Sequence, residues 1–146
     1  MATLFTAFKG NGNSANKIVR SLDGDKLFLT NSYDGLRKDI DNVNDTYDLV
    51  YMFGLDKALK GNVRIESTAR KDDVCLYSDM NFHSIVRKLN QSGIKTHIGN
   101  TPTQSLCNEA YWHMLKKYNC HVLFCHVPSI KYATEDFIAK ISAVLC

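Results

Sequence analysis

The chain has 146 residues, which is about the length of one domain and long enough to bury a sizeable core. With 45% hydrophobic residues, 23% charged residues and a formal net charge of +3, its composition is that of an ordinary globular protein. Its basic residues are scattered and do not form a stripe, which argues against a nucleic-acid partner.

Short apolar runs alternate with helical patterns along the chain. Strands are predicted over residues 3–8, 26–31, 47–54, 62–71, 94–100 and 120–127. Helices are predicted over residues 14–22, 33–43, 79–93, 103–118 and 134–145. This alternation predicts an α/β fold, a three-layer αβα sandwich around a mostly parallel sheet, in a single domain over residues 1–146.

Several helix ends carry capping signals. Asn13 or Ser14 is the candidate N-cap of the first helix, and Thr134 is that of the last helix, whose first turn is acidic. Gly93 is the expected C-cap of the third helix. These local signals support the order of elements that the apolar pattern predicts.

The sequence shows no feature of secretion or membrane insertion. Its first residues, MATLFTAFKG, contain neither a charged n-region nor an apolar h-region, and no apolar run approaches the roughly 18 residues of a membrane span. We therefore expect no membrane partner. The five cysteines are an odd number and, without a secretory signal, are interpreted as reduced thiols of a cytoplasmic protein.

Three residues carry the chemistry of covalent catalysis. Cys107 lies near the start of a helix, His126 at the end of a strand, and Glu66 on a strand of alternating polarity. Active residues of such folds gather outside the carboxyl ends of the strands, where these three are expected to meet as nucleophile, base and orienting group. The helix N-terminus is also expected to lower the pKa of Cys107.

Two other kinds of site have weaker support. Cys120 and Cys125 lie in a segment that also carries His121 and His126, but C-x4-C on one extended strand points its thiols to opposite faces, which disfavours zinc. Residues 9–14 link a strand to a helix, as phosphate-binding loops do, but lack the glycine patterns of those loops. We expect no cofactor and no metal. The cysteines other than Cys107 are interpreted as structural: Cys75, Cys120, Cys125 and Cys146.

Five segments, in the same order along the chain, resemble the pyroglutamyl peptidases, also called pyrrolidone carboxyl peptidases. NTPTQSLCN is similar to the family's S-N-T-A-G-x-x-x-C-N segment and CHVP to its I-H-V-P segment. RIESTA resembles the L-E-R-V-A segment, LFTAFKGNGNSANKIV the opening strand and loop, and YDLVYMFG the strand that ends in G-Q-A-G-G. The resemblance covers nearly the whole chain.

The resemblance implies a cysteine exopeptidase that removes an N-terminal pyroglutamyl residue from small peptides with a blocked N-terminus. Cys107 would attack the carbonyl, His126 would take the thiol proton and later deliver it to the leaving amine, and Glu66 would hold the imidazole tautomer. Phe8 and Asn13 would bind the substrate. Backbone N–H groups around Cys107 would form the oxyanion hole.

The chain also departs from the family pattern, mostly in the parts that bind substrate. It is shorter than the family's usual length, chiefly between Asp73 and Met80 and in the opening loop. The second phenylalanine of the lactam sandwich has no counterpart beside Phe8, and Leu55 stands where the family has glutamine. A second hypothesis is therefore a relative with a degraded lactam pocket that acts as a ligand-binding or interaction protein. A third is a phosphate- or nucleotide-binding protein, and self-association into a homo-oligomer is left open.

Overall fold

Strands and helices alternate along the chain in the computed structural model, which describes residues 2–102, 105–119 and 121–146. The strands are β1 Thr3–Phe8, β2 Asp25–Leu29, β3 Leu49–Leu55, β4 Val63–Glu66, β5 Thr68–Lys71, β6 Val74–Tyr77, β7 Thr96–Gly99 and β8 Val122–Val127. The helices are α1 Ser14–Ser21, α2 Tyr33–Asp41, α3 Phe82–Gln91, α4 Leu106–Lys117 and α5 Glu135–Leu145. Among these described residues, no helix is long and apolar enough to cross a membrane.

Six of the strands form the central sheet, in the order β2-β1-β3-β8-β4-β7. The strands β2, β1, β3 and β8 run parallel to one another. β4 runs antiparallel to β8, and β7 runs parallel to β4, so these last two strands point the opposite way. The predicted α/β fold with a mostly parallel sheet is confirmed.

Helices cover both faces of the sheet and enclose two apolar cores. On one face α1, α3 and α5 pack around Ile18, Leu89 and Ile141. On the other face α2 and α4 pack around Leu36 and Tyr111. The described residues therefore form the predicted three-layer αβα sandwich, with the apolar side of each helix turned towards the sheet.

The single strand predicted over 62–71 is wrong, because the chain leaves the central sheet after Glu66. β5 begins at Thr68 and pairs with β6 in a separate two-stranded hairpin. Ser67 lies between β4 and β5, and its N–H and its hydroxyl both donate to the carbonyl oxygen of Gly99 at the end of β7, at 3.0 Å each. Ala69 then packs into the core beside α4. Side chains alternate in polarity on both sides of Ser67, so the sequence pattern does not reveal this break.

The predicted helix caps are confirmed by their hydrogen bonds. The side chain of Asn13 accepts from the Asn16 N–H at 3.1 Å, and that of Thr134 accepts from the Phe137 N–H at 3.1 Å. Gly93 follows α3 with a φ of +90°, a conformation that favours glycine. The helix predicted over 103–118 begins in the structure at Leu106, and its predicted first two residues lie outside the described residues.

Candidate active site

The strand register places the predicted imidazole and carboxylate on one face of the sheet. His126 on β8 lies opposite Arg64 on β4, and Phe124 lies opposite Glu66. Side chains two apart on a strand share a face, so Glu66 and His126 are diagonal neighbours. Phe124 belongs to the core on the α2 and α4 side, so both polar side chains lie beneath α4.

The expected meeting point at a common carboxyl edge of the sheet is wrong for two of the three residues. His126 does lie near the carboxyl end of β8. β4 runs antiparallel to β8, so its carboxyl end points to the other edge and Glu66 reaches His126 sideways across the sheet. Cys107 approaches from above, on α4. The carboxyl ends of β4 and β8 lie at opposite ends of the sheet because the two strands are antiparallel. The site therefore lies on a face of the sheet and not at one end of it.

Glu66 and His126 form a buried pair. The Glu66 side-chain atom Oε1 lies 3.3 Å from Nδ1 of His126, and the two residues are only 3% and 4% exposed. In a neutral imidazole, the proton that this contact uses sits on Nδ1, which leaves Nε2 unprotonated and able to act as a base. Tyr111 on α4 supports the strand end by donating its hydroxyl hydrogen to the Glu66 carbonyl oxygen at 2.8 Å.

The Glu66 carboxylate is kept ionised by its neighbours. Burial by itself raises the pKa of Glu66, but the contacts with His126 and Arg64 outweigh it and hold the pKa below its ordinary value of 4.5. Arg64 donates its Nε hydrogen to the same oxygen, Oε1, that contacts His126. The site is thus built around an anion that stays charged in neutral solution.

This depressed pKa predicts how stability depends on pH. A carboxyl group whose pKa is lower in the folded state stabilises the fold above its unfolded-state pKa, and the contribution is lost as the pH falls through the folded-state pKa. We expect Glu66→Gln to lower the free energy of unfolding by about 1–3 kcal/mol near neutral pH, where Glu66 is ionised. The difference from wild type should shrink as the pH falls below 4.5.

Urea unfolding at a series of pH values between about 7 and about 3 measures this difference. Asp34→Asn is the matched control, because the Asp34 side chain is 82% exposed in its pair with Arg37 and its loss should change stability little. A Glu66→Gln deficit that stays constant over the whole range would contradict the prediction.

Cys107 is the second residue of α4 and lines a small pocket against the sheet. Ser105 caps the helix, and its hydroxyl oxygen accepts from the Cys107 N–H at 3.2 Å. The residues that line this pocket are Glu66, Thr68, Cys107, Asn108, Tyr111, Phe124 and His126. The structure thus brings Cys107, His126 and Glu66 to one pocket.

The expected lowering of the Cys107 pKa at the helix N-terminus is wrong. The net pKa is raised to about 11: burial is the largest cause, the hydrogen bond with Ser105 lowers the pKa, and the negative charges of Glu66 and Asp56 add to the rise. Desolvation and like charge therefore outweigh the helix terminus. The resting residue is a thiol, which becomes a nucleophile only when a base removes its proton.

Solved structures of other proteins share this architecture over nearly the whole chain. Pyrrolidone carboxyl peptidase from Thermus thermophilus superimposes with a TM-score of 0.82 at 16% identity, covering 98% of each chain. The enzyme from Fervidobacterium islandicum gives 0.81 at 18% identity, covering 99% of this chain and 96% of that one. The enzyme from Thermococcus litoralis gives 0.77 at 15% identity, covering 97% and 91%.

This chain has the fold of the pyrrolidone carboxyl peptidases. The resemblance drawn from the sequence motifs is confirmed at the level of the fold. No protein-family model and no curated protein sequence matches the chain. The pyrrolidone carboxyl peptidase fold is therefore visible in the arrangement of strands and helices and not in overall sequence similarity.

The structure does not bring the two predicted substrate-binding residues to the pocket of this pyrrolidone carboxyl peptidase fold. Phe8 is buried in the core on the α4 side, and Asn13 uses its side-chain oxygen to cap α1. Phe8 does lie on the same face as His126: if the register of β1 and β3 is continued by two residues, Phe8 stands beside Gly54, which pairs with His126. At about 5 Å per strand, roughly 10 Å separates Phe8 from His126 across Gly54.

Several residues that shape the site carry no functional signal on their own. Asn108 holds the β5 backbone to α4, because its Oδ1 accepts from the Arg70 N–H at 3.0 Å and its Nδ2 donates to the Arg70 carbonyl at 2.7 Å. Gly54 leaves the space that the thiol of Cys107 occupies. Both residues fall inside segments that match the family motifs, which is the signal that could have pointed to them.

Three other cysteines in the described part of the chain do not line this pocket. Cys125 is buried in the core on the opposite face of the sheet, where burial raises its pKa, and Cys75 and Cys146 are exposed. Cys120 lies outside the described residues, so its expected structural role stays a prediction.

Proposed function

We propose that this protein is a cysteine exopeptidase that removes an N-terminal pyroglutamyl, or similarly blocked, residue from small peptides. The observation that carries the proposal is the convergence of Cys107, His126 and Glu66 in one buried pocket, with Glu66 on the Nδ1 side of the imidazole. The fold shared with pyrrolidone carboxyl peptidases supports the same substrate class.

The reaction uses these three groups in two half-reactions. In the first, Nε2 of His126 takes the Cys107 proton as Sγ bonds to the substrate carbonyl carbon, which gives a tetrahedral oxyanion. The oxyanion collapses, the C–N bond breaks, and the imidazolium gives its proton to the leaving amine. In the second, His126 takes a proton from water as its oxygen bonds to the thioester carbon. The C–S bond then breaks, the free acid leaves, and the imidazolium returns its proton to Sγ of Cys107.

The local electrostatics fit this sequence of steps. The thiol is neutral at rest, because burial and nearby carboxylates raise its pKa to about 11. The ionised Glu66 stabilises the imidazolium that forms when His126 accepts the proton. The Cys107 N–H is already bonded to Ser105, so the oxyanion hole stays a prediction for other backbone N–H groups near the start of α4.

Hydrolysis of a fluorogenic pyroglutamyl amide by the reduced protein tests this proposal. We expect turnover of this compound and no turnover of the corresponding glutamyl amide, because its charged amino group would lose hydration in a pocket lined partly by Phe124. The glutamyl amide is the matched control for non-specific amide cleavage. Equal rates on both compounds, or no thioester and no turnover with either, would contradict the proposal.

A second candidate is a ligand-binding or interaction protein that keeps the fold and has lost the lactam pocket. It is favoured by the positions of Phe8 and Asn13, both of which have structural contacts and do not line the pocket. In that case pyroglutamate would leave the thermal midpoint unchanged, since a ligand stabilises only a protein that binds it. A cytoplasmic location, the absence of nucleic-acid and membrane partners, and any self-association stay predictions.

A further inference from the structure

Arg64 lies between two carboxylates at the back of the site. Its Nε donates to Oε1 of Glu66, and its Nη2 donates to Oδ2 of Asp56 at 2.8 Å. Asp56 is itself anchored, because its Oδ1 accepts from the Ala58 N–H at 2.9 Å. A continuous chain of hydrogen bonds therefore runs from Asp56 through Arg64 and Glu66 to the imidazole of His126.

The surroundings leave this chain of groups little freedom. A Cβ atom added at Gly99 would lie 2.9 Å from Cδ of Arg64 and 3.0 Å from each carboxylate oxygen of Glu66. The two side chains are thus packed directly against the backbone of β7. Arg64 pairs with His126 in the β4–β8 register but is absent from the residues that line the pocket.

A carboxylate that has only an imidazole partner can still rotate about its terminal torsions. The N–H donors of a guanidinium lie in one plane and point in fixed directions, so a bound guanidinium restricts that rotation. An ammonium group, whose three donors rotate freely, would restrict it less. Because Nε of Arg64 and Nδ1 of His126 converge on the same oxygen, the direction of Oε1 is set from two sides.

We propose that Arg64, itself held by Asp56, is a positioning residue that fixes the Glu66 carboxylate in the orientation that aligns His126 for the chemistry at Cys107. This inference rests on the proposed function. Arg64 touches neither the nucleophile nor the pocket, so it acts through Glu66.

Several titratable groups surround the Glu66 carboxylate. Arg64, on the same strand β4, and His126, on β8, both lower its pKa. Cys107 and Tyr111 on α4 line the same pocket as Glu66. The groups one step further out are Asp56, bonded to Arg64, and His97, which is exposed on β7 opposite Arg64. Loss of Arg64 removes the one permanent cation from this set.

The first experiment is the pH profile of pyroglutamyl amide hydrolysis for Arg64→Gln. We expect kcat to fall about 10- to 100-fold, with KM nearly unchanged, because the substrate contacts stay intact while the imidazole loses its alignment. We also expect the acid limb of kcat/KM to move to higher pH, since Glu66 loses the cation that keeps it ionised. Arg64→Lys should restore the acid limb while recovering only part of kcat.

Arg37→Gln is the matched control, because Arg37 makes an exposed pair with Asp34 at 3.1 Å on α2. It should leave kcat, KM and the pH profile unchanged. An Arg64→Gln enzyme with wild-type kcat and profile, or one that changes only in KM, overturns the inference.

A second measurement separates this inference from the proposed function, because it needs no turnover. Urea unfolding of Arg64→Gln, Glu66→Gln and the double variant forms a double-mutant cycle. We expect the losses to be non-additive at neutral pH and to approach additivity in acid, where Glu66 is protonated. Additive losses at neutral pH overturn the positioning role. An inactive wild type with strong coupling overturns the proposed function while the Arg64–Glu66 linkage stands.

Discussion

Turnover of a pyroglutamyl amide is expected to fall by about 10⁴-fold or more when Cys107 is replaced by alanine. The thiol of Cys107 is the strongest nucleophile among the residues that line the pocket. The hydroxyls of Thr68 and Tyr111 are weaker nucleophiles. Alanine leaves the imidazole, the carboxylate and the pocket walls in place, so the loss falls on the bond-forming step.

The same substitution is expected to change stability little. The residue as a whole keeps some exposure although its thiol group is buried, and removing the sulfur should lower the free energy of unfolding by about 1 kcal/mol. The rate on the fluorogenic amide, measured beside a thermal unfolding curve, checks both statements. Cys75→Ala is the matched control, because Cys75 is an exposed thiol on the β5–β6 hairpin. Turnover by Cys107→Ala within about 10-fold of wild type, or an equal loss in Cys75→Ala, would rule out Cys107 as the nucleophile.

The second large effect is expected for Gly54→Ala. A Cβ atom at this position would lie 2.8 Å from two ring atoms of Phe124 and 3.0 Å from Sγ of Cys107. The ring and the thiol must therefore move. We expect a loss of about 1–3 kcal/mol in the free energy of unfolding from overpacking. A displacement of the nucleophile by a fraction of an ångström to an ångström should lower turnover by about 100-fold.

Gly61→Ala is the control that distinguishes the effect of steric overlap with an added Cβ from the effect of backbone strain. Gly61 has a φ of +83°, and a Cβ there would come no closer than 3.5 Å to Tyr132. It should cost about 1 kcal/mol through backbone strain and leave turnover unchanged. Comparing the two variants by urea unfolding and by rate makes the prediction specific. Wild-type turnover in Gly54→Ala would mean that the thiol does not need the space that this glycine leaves.

The parts of the fold that were predicted correctly are those with local signals. Asn13, Thr134 and Gly93 cap helices where the sequence places them, because a cap depends on residues within one turn. The apolar run before Gly54 is a buried central strand. It was predictable because a strand that is buried on both faces is apolar at every position, which the sequence shows directly. The hairpin strand β6 was missed, because Val74 and Tyr77 are exposed and show no core-facing alternation.

The sequence predicted which residues form the site but not their pKa values or the hydrogen bonds that hold them. Cys107, His126 and Glu66 were singled out through motifs that survive in short segments, and the structure brings them to one pocket. Their electrostatics were not predictable, because the pKa of Cys107 depends on burial in the folded protein and on the charges of Glu66 and Asp56. Asp56 and Arg64 are eight residues apart in the chain, and nothing local indicates that they bond.

The sequence by itself determined the alternation of strands and helices, the positions of the caps, and the residue types able to perform acyl transfer. These follow from interactions within a few residues, which a periodic pattern or a cap residue records directly. Only the tertiary structure decided that β4 runs against β8, so that Glu66 meets His126 across the face of the sheet. It also decided that Gly54 makes room for Cys107 and that Arg64 holds Glu66. Strand direction and side-chain packing depend on contacts between residues far apart in the chain, and those contacts form only when the whole fold closes.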